Sequence, residues 1–319
     1  MPILGFIGAR IGVALFTMFV VSLIVFIAMH LLPGGFEQII LGPIQTQATR
    51  DAITNEFGLD APIAEQFVKW AIAVLHGDFG VSMITRTPVA AELVRRAPAT
   101  LQLAAMSIFT TLVVGLPLGI ASGIGDTRRS VRVGARLLGA LGASTPDFVL
   151  GTILVYVFSV WALGLTVGGY APFLENPIAN LRAMALPTLT LSVPGIALVL
   201  RTTRESVLNV MTSGHITTAV SRGESPSQIV RRHILRNASL PILTVTTMYL
   251  GALMGGSVIV ETLFTIPGIG LYTWNALNNR DYQVTESAVL IFSILLVAVN
   301  MCVDIAYALL DPRIQGRRS

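Results

Sequence analysis

The chain has 319 residues, of which 53% are hydrophobic and only 12% are charged, and its mean hydropathy is +0.75. Soluble domains carry roughly 25% charged residues, so this composition excludes a soluble globular protein and indicates one that is embedded in a membrane. The formal net charge of +4 comes from short arginine-bearing segments between apolar runs, so anionic membrane lipid accounts for it and no nucleic-acid partner is required.

Long apolar runs predict six transmembrane helices, because about 20 apolar residues in a helix cross the roughly 30 Å of hydrocarbon in a bilayer. The runs cover roughly residues 8–31, 100–123, 138–163, 186–201, 241–262 and 286–310. We expect the short fourth run to extend into its neighbours. The first run is long and has no small-residue cleavage site, so it predicts an uncleaved helix rather than a signal peptide.

The distribution of basic residues predicts that both termini are cytosolic. In that orientation the inner segments hold 14 of the 21 basic residues, six of them between Arg201 and Arg236. Five of the other seven lie in the outer segment 32–99, which is long enough to escape the positive-inside rule.

The outer segment ends in GDFGVSMITRTPVAAELVRRAPATLQLA, residues 77–104. Gly77 and Gly80 predict tight turns, and Pro98 and Thr100 predict the start of the second membrane helix. We therefore divide the chain into a first helix with an extracytoplasmic loop, residues 1–93, and a core with five membrane helices, residues 94–319.

Glycines at four-residue spacing predict close helix packing, because every fourth residue lies on nearly the same helix face. The second predicted helix has Gly115, Gly119 and Gly123, and the fifth has Gly251 and Gly255.

Two of the acidic residues within or beside apolar runs are candidates for lining a solute pathway, because a charge at membrane depth usually faces protein or water. Asp147 follows Pro146 in the third run, and it could line a solute pathway or form a local hydrogen bond at a helix bend. Glu261, at the end of the fifth run, could line the pathway near its outer mouth or simply lie at the water boundary.

The segment 212–241 is a polar island between two apolar runs. Its pattern predicts a short helix from His215 to Arg222, which Gly223 ends because glycine readily adopts the left-handed conformation after a helix. Ser225 and Gln228 then form the pattern of a capping box. A basic amphipathic helix should follow along the membrane surface as far as Pro241. On its own, this island could also be an interfacial helix that binds lipid headgroups.

The island resembles the EAA loop of permease subunits of ABC importers, in the dipeptide, oligopeptide and nickel branch. The likeness rests on a small residue, Ala219, with a glycine four positions later, Gly223, and on the pattern His-x-Leu-Arg-Asn-Ala-x-x-Pro at residues 233–241. Residues 77–104, 260–270 and 304–313 resemble the same branch, so the likeness extends over about residues 1 to 315. In that family the loop forms a coupling helix that docks into a groove of a cytoplasmic ATPase.

The resemblance implies a type I ABC importer permease fold and a set of coupling residues. By position, Thr217, Thr218 and Ala219 stand where the motif has Glu-Ala-Ala, Gly223 is its glycine, and Arg222 is the basic residue before that glycine. It also implies the partners: a second homologous permease subunit in a heterodimer, two ATP-binding subunits, an extracytoplasmic substrate-binding protein and the lipids of a bacterial inner membrane.

The resemblance further implies that this chain binds no cofactor, and that ATP and magnesium bind to the ATPase subunits. The residues agree, because Lys69 in the outer segment is the only lysine and a phosphate-binding P-loop needs one. The single cysteine and four scattered histidines predict no metal site. Asp126 lies in a Gly-x-Gly-Asp sequence, a form that intramembrane aspartyl proteases use. Such catalysis needs two carboxylates close enough to share a proton, and no partner motif for Asp126 is present.

The remaining alternative is an ion-coupled secondary transporter of small solutes, with Asp147 and Asp304 as proton carriers, although no convincing internal repeat supports it.

Overall fold

The structure is a computed structural model that describes residues 3–32, 46–124, 129–161, 164–165 and 167–310. Over these ranges the chain is helical, and its only β-type pairing is an isolated bridge between Val81 and Pro88. The helices are α1 (Ile3–Leu31), α2 (Gln47–Phe57), α3 (Ile63–Leu75), α4 (Val89–Gly123), α5 (Arg129–Ser144), α6 (Asp147–Trp161), α7 (Pro177–Met211), α8 (Gly214–Ser221), α9 (Pro226–Ile229), α10 (Leu235–Leu263), α11 (Ile269–Asn278) and α12 (Tyr282–Leu310), with a π-helical turn (Val230–Ile234) between α9 and α10.

Five helices are long and apolar enough to cross a membrane, and α5 with α6 makes a sixth span if the bent pair counts as one. This agrees with the six predicted spans, and α7 extends the short fourth run as expected. The third predicted run, 138–163, contains the helix bend considered beside Asp147, because α5 and α6 meet at an angle of 106°. Pro146 lies at the bend, where it lacks an N–H and disfavours helical geometry in the preceding residue.

The second membrane helix starts earlier than predicted. It begins at Val89 and passes through Pro98 without ending. Because proline has no N–H, Pro98 cannot donate a hydrogen bond to the carbonyl of Val94, four residues earlier. Val94 is 74% exposed. Thr100, which was predicted as part of the helix start, lies inside α4. Its Oγ1 accepts a 2.9 Å hydrogen bond from the N–H of Ile269, the first residue of α11.

The described residues divide into two compact units. The N-terminal unit comprises residues up to Thr100 together with Pro267–Ala298, and the core unit comprises Leu101–Ile266 with residues from Val299. The boundary predicted at residue 93 lies inside α4, and the N-terminal unit also includes a segment near residue 280 that the prediction did not assign to it.

The N-terminal unit has an apolar core and a buried carboxylate that joins distant segments. The core contains side chains from α4, α11 and α12: Val89, Leu93, Ile269, Tyr272, Ala276, Val284 and Ala288. Asp281 precedes α12 and accepts hydrogen bonds from Ser82 Oγ at 2.5 Å, Met83 N at 3.2 Å and Val284 N at 3.3 Å. The turns predicted at Gly77 and Gly80 are present, since these residues have positive φ angles of 82° and 74°. They precede Ser82 and Met83 in the chain.

Helix α7 is the centre of the core unit, with 72% of its most apolar 18-residue window buried. The α4 glycines face it at matching spacing, since Cβ atoms added to Gly115, Gly119 and Gly123 would lie 3.1, 2.5 and 2.7 Å from the Cβ atoms of Val199, Thr203 and Val207. The packing prediction for this stripe is confirmed.

The corresponding prediction for α10 is wrong at Gly255, because nothing lies within 4 Å of a Cβ added there. The neighbouring Gly256 makes the close approach instead. A Cβ on Gly256 would lie 2.6 Å from Asp147 Oδ2 and 3.3 Å from a methyl carbon of Leu191.

Candidate coupling site

The polar island folds as predicted into a helix, a sharp turn and a second helix, and one apolar residue holds the first helix in place. Ile216 of α8 is 2% exposed and packs in a cluster with Val207 of α7, Ile229 of α9 and Ile234 of the π-helical turn. Burying an isoleucine side chain contributes about 1.5–3 kcal/mol. This contact fixes α8 to the end of α7 and to the start of α10.

The end of α8 has the geometry of a Schellman motif. Gly223 has a φ of +79°, and the Glu224 N–H donates to the Ala219 carbonyl oxygen at 3.2 Å, which is the six-to-one bond of that motif. The carboxylate of Glu224 also lies 3.2 Å from His233 Nε2 in the π-helical turn. The prediction that Gly223 ends the helix in a left-handed conformation is confirmed.

The predicted capping box is also present. The Ser225 N–H donates to Gln228 Oε1 at 2.8 Å, and the Gln228 N–H donates back to Ser225 Oγ at 3.4 Å. The separate surface helix predicted after it is wrong, because helical structure continues from Pro226 to Leu263 and Pro241 lies inside α10. Burial of Ile229 and Ile234 directs the run into the core unit instead of along a membrane surface.

The predicted coupling residues do not share one surface. Thr217, Thr218, Arg222 and Gly223 are exposed, whereas Ala219 is 4% exposed and packs inside the chain. Ala219 lies three residues after Ile216, on the buried side of α8. Sequence reasoning missed Ile216, although its apolar side chain within a polar island was a signal.

Asp147 is the first residue of α6, and its carboxylate makes the local hydrogen bond that was considered for it at the bend. Oδ1 accepts a 2.8 Å hydrogen bond from the Phe148 N–H, and the side chain lines a cavity of about 460 Å³ in the core unit. Other lining residues come from α5, the bend, α7 and α10, among them Ser144, Thr145, Pro194, Arg201, Tyr249 and Leu253. Sequence reasoning had not singled out Arg201 or Tyr249 for this cavity.

Glu261 lies elsewhere than expected. It is 0% exposed within the core unit, and its backbone carbonyl accepts a 2.8 Å hydrogen bond from the Ile266 N–H in the turn after α10. Its side chain is therefore enclosed by the chain instead of lying at an exposed surface. It is also absent from the lining of the cavity that contains Asp147.

Two family models match the chain and together extend over most of its length. Residues 115–316 match the family described as the inner membrane component of binding-protein-dependent transport systems. The chain belongs to this family. Residues 3–104 match the N-terminal region described for the membrane components of the same systems. The protein is therefore a multi-pass inner-membrane permease of the ABC importer class, in which ATP hydrolysis is carried out by separate subunits.

Several transport permeases are similar in sequence to this chain over nearly the full length of both proteins. A probable peptide ABC transporter permease of Sinorhizobium fredii is 37% identical, over 93% of this chain and 95% of the relative. A putative peptide transport system permease of Brucella abortus is 35% identical, over 96% and 97%. The glutathione transport system permease of Salmonella typhi is 34% identical, over 94% and 95%.

A solved structure shows the same fold. A chain from the inward-facing MetNI methionine ABC transporter aligns with a TM-score of 0.55 at 18% identity, over 70% of this chain and 98% of that chain. This likeness confirms the predicted type I ABC importer permease fold. The family and the relatives do not favour the alternative of an ion-coupled secondary transporter.

Proposed function

We propose that this permease forms half of the translocation pathway of an importer for di- or oligopeptides. The support is the agreement of several relatives, since permeases named for peptide and for glutathione transport are 34 to 37% identical to it over more than nine-tenths of its length. Glutathione is itself a small peptide, so the names point to one substrate class.

The proposed assembly contains this chain, a second homologous permease, two ATPase subunits that bind ATP and magnesium, and an extracytoplasmic substrate-binding protein. Both termini and the polar island face the cytosol, because that orientation places 14 of the 21 basic residues inside. In this orientation the outer segment between α1 and α4 lies on the side of the substrate-binding protein, and α8 lies on the side of the ATPase.

The observation that carries the mechanism is the two-sided character of α8. One side presents Thr217, Thr218 and Arg222 to solvent, while the other is fixed through Ile216 to α7 and to the turn that leads into α10. A partner that moves the exposed side must move both membrane helices, because packed side chains transmit displacement rather than absorbing it.

Helices α7 and α10 both contribute to the cavity that contains Asp147. Closure of the ATPases around ATP would therefore change the shape of this cavity through α8, which is how nucleotide turnover becomes alternating access. Asp147 lines the pathway in this mechanism. Glu261 is buried in this conformation, so it lines the pathway only in one that uncovers it.

A charge reversal tests the docking surface. Arg222→Glu places a carboxylate on the exposed side of α8 and should reduce co-purification of the ATPase at least tenfold, with normal membrane insertion. Arg231→Glu is the matched control, since it reverses another exposed arginine, which lies in the π-helical turn. If both variants retain the ATPase, or both lose it to the same degree, α8 is not the docking element.

A further inference from the structure

The N-terminal unit contains a cavity of about 380 Å³, a volume within the range of small-molecule sites. Its walls come from α1, α2, α3, the loop before α4 and the start of α12. The residues used below are Phe26, His30, Gln66, Trp70, Tyr282 and Glu286, all of which line it. No step of the transport mechanism uses this cavity.

Two buried polar atoms in its wall lack a hydrogen-bond partner among the described residues. One is Oε1 of Glu286, a residue 3% exposed, and the other is Nε1 of Trp70, a residue 8% exposed. A buried polar group without a partner is unfavourable by a few kcal/mol, and a carboxylate oxygen more so. The wall therefore presents one unmatched acceptor and one unmatched donor.

His30 is the nearest base to Glu286, but it does not supply the missing donor. Its Nδ1 lies 4.0 Å from Glu286 Oε1 and only 2.9 Å from the Phe26 carbonyl oxygen. The His30 Nε2 lies 3.1 Å from Gln66 Oε1. The Gln66 amide is held in that orientation because its own Nε2 donates to the Ala61 carbonyl oxygen at 2.8 Å. Both ring nitrogens are thus directed at other oxygens.

The remaining charges around the cavity favour a cationic ligand. Glu56 pairs with Arg86 at 2.5 Å, and Lys69 pairs with Glu65 at 2.8 Å, so these charges largely cancel. Asp78 also lines the cavity, and its Oδ1 accepts from the Gly80 N–H at 2.8 Å. The carboxylates of Asp78 and Glu286 remain, and they outnumber the single positive charge that His30 carries when both of its ring nitrogens donate.

Aromatic rings form much of the wall. Phe26, Phe57, Trp70 and Tyr282 all line the cavity, and the faces of such rings attract ammonium groups. A ligand that satisfies both unmatched atoms needs an ammonium group to donate to the carboxylate and a nearby oxygen to accept from the indole N–H.

We propose that this cavity binds the free amino end of an amino acid or a short peptide, with its ammonium group on Glu286 and its adjacent carbonyl or carboxylate oxygen on Trp70 Nε1. The permease would then recognise solute on its own account. This inference goes beyond the proposed function, because it requires neither nucleotide nor an ATPase, and its failure would leave the coupling mechanism untouched.

The test is calorimetric titration of the full chain in lipid nanodiscs, without binding protein or nucleotide. The probes are L-alanyl-L-alanine, L-alanine and N-acetyl-L-alanyl-L-alanine, which lacks the ammonium group. We expect the dipeptide to bind at least about tenfold more tightly than its acetylated form, since hydrogen bonds to charged groups carry this much discrimination. Comparison with alanine separates a peptide site from an amino-acid site.

Two near-isosteric variants locate the contact. Glu286→Gln should weaken dipeptide binding at least about tenfold, and Trp70→Phe, which keeps a ring but removes the indole N–H, by about threefold or more. Glu205→Gln, at an exposed ion pair in the core unit, is the control and should bind as the unmodified chain does. If Glu286→Gln fails to fold, the acetylated probe and Trp70→Phe decide the matter.

A purely structural role for Glu286 would give a different pattern. Glu286→Gln would then lower the melting temperature of the unliganded chain, whereas a ligand-binding role predicts an equal or higher melting temperature and loss of the shift caused by the dipeptide. Equal binding of the free and acetylated dipeptides, or no saturable binding by the unmodified chain, would overturn the proposal.

Discussion

Replacement of Gly223 tests whether the geometry of the turn after α8 is needed for coupling. A Cβ added there meets nothing within 4 Å, so any effect must come from the backbone, whose φ is +79°. An ordinary L-residue in this left-handed region is strained by about 1–2 kcal/mol, and a β-branched residue by more. Because 1–2 kcal/mol corresponds to a factor of 5–30 in an equilibrium, Gly223→Val should displace the turn from its docking geometry in most molecules.

The assay is substrate-stimulated ATP hydrolysis by the reconstituted transporter, with membrane insertion measured alongside. Activity should fall in the order Gly, Asn, Ala, Val at position 223, since asparagine tolerates positive φ best among the replacements. Gly214→Ala is the matched control, because Gly214 begins the same helix, has open space around it and has no positive φ. Full coupled activity in Gly223→Val, or an equal loss in Gly214→Ala, would refute the reasoning.

Three further changes test other parts of the account. Ile216→Ala removes the anchor of α8, so it should destabilise this contact by about 2–5 kcal/mol and raise basal ATP hydrolysis relative to transport; normal coupling would contradict the anchor role. Gly119→Leu should greatly lower the yield of folded protein, measured by size-exclusion chromatography, because even a Cβ would lie 2.5 Å from its neighbour on α7. Gly134→Leu, where nothing lies within 4 Å, should fold normally, and similar yields would argue against close α4–α7 packing. Asp147→Asn should slow peptide uptake at least about tenfold with ATPase binding intact, and unchanged uptake would remove Asp147 from the pathway.

The parts of the fold that depend on neighbours in sequence could be predicted. Gly223 ends α8, and Ser225 and Gln228 form a capping box, because these motifs close over a few residues. The spacing of Gly115, Gly119 and Gly123 likewise placed them on one helix face, which packs as expected.

The errors share a different cause, which is burial by residues far away in sequence. Local signals at Pro98 predicted a helix start, but α4 begins at Val89, whose side chain is buried against α11 and α12. The motifs that contain Ala219 and Glu261 likewise did not indicate that tertiary packing encloses both side chains. Nothing within a few residues of Asp281 indicated its hydrogen bond to Ser82, which lies 199 positions earlier.

The central claim is that α8 is the contact through which the ATPase acts on this permease, and photo-crosslinking in the assembled transporter tests it most directly. Benzoylphenylalanine in place of the exposed Thr218 should crosslink to the ATPase subunit, with a yield that changes between the nucleotide-free and ATP-bound states. The same probe in place of Thr244, within α10, should give no such product. Equal crosslinking from the two positions, or none from position 218 in an actively transporting complex, would contradict the account.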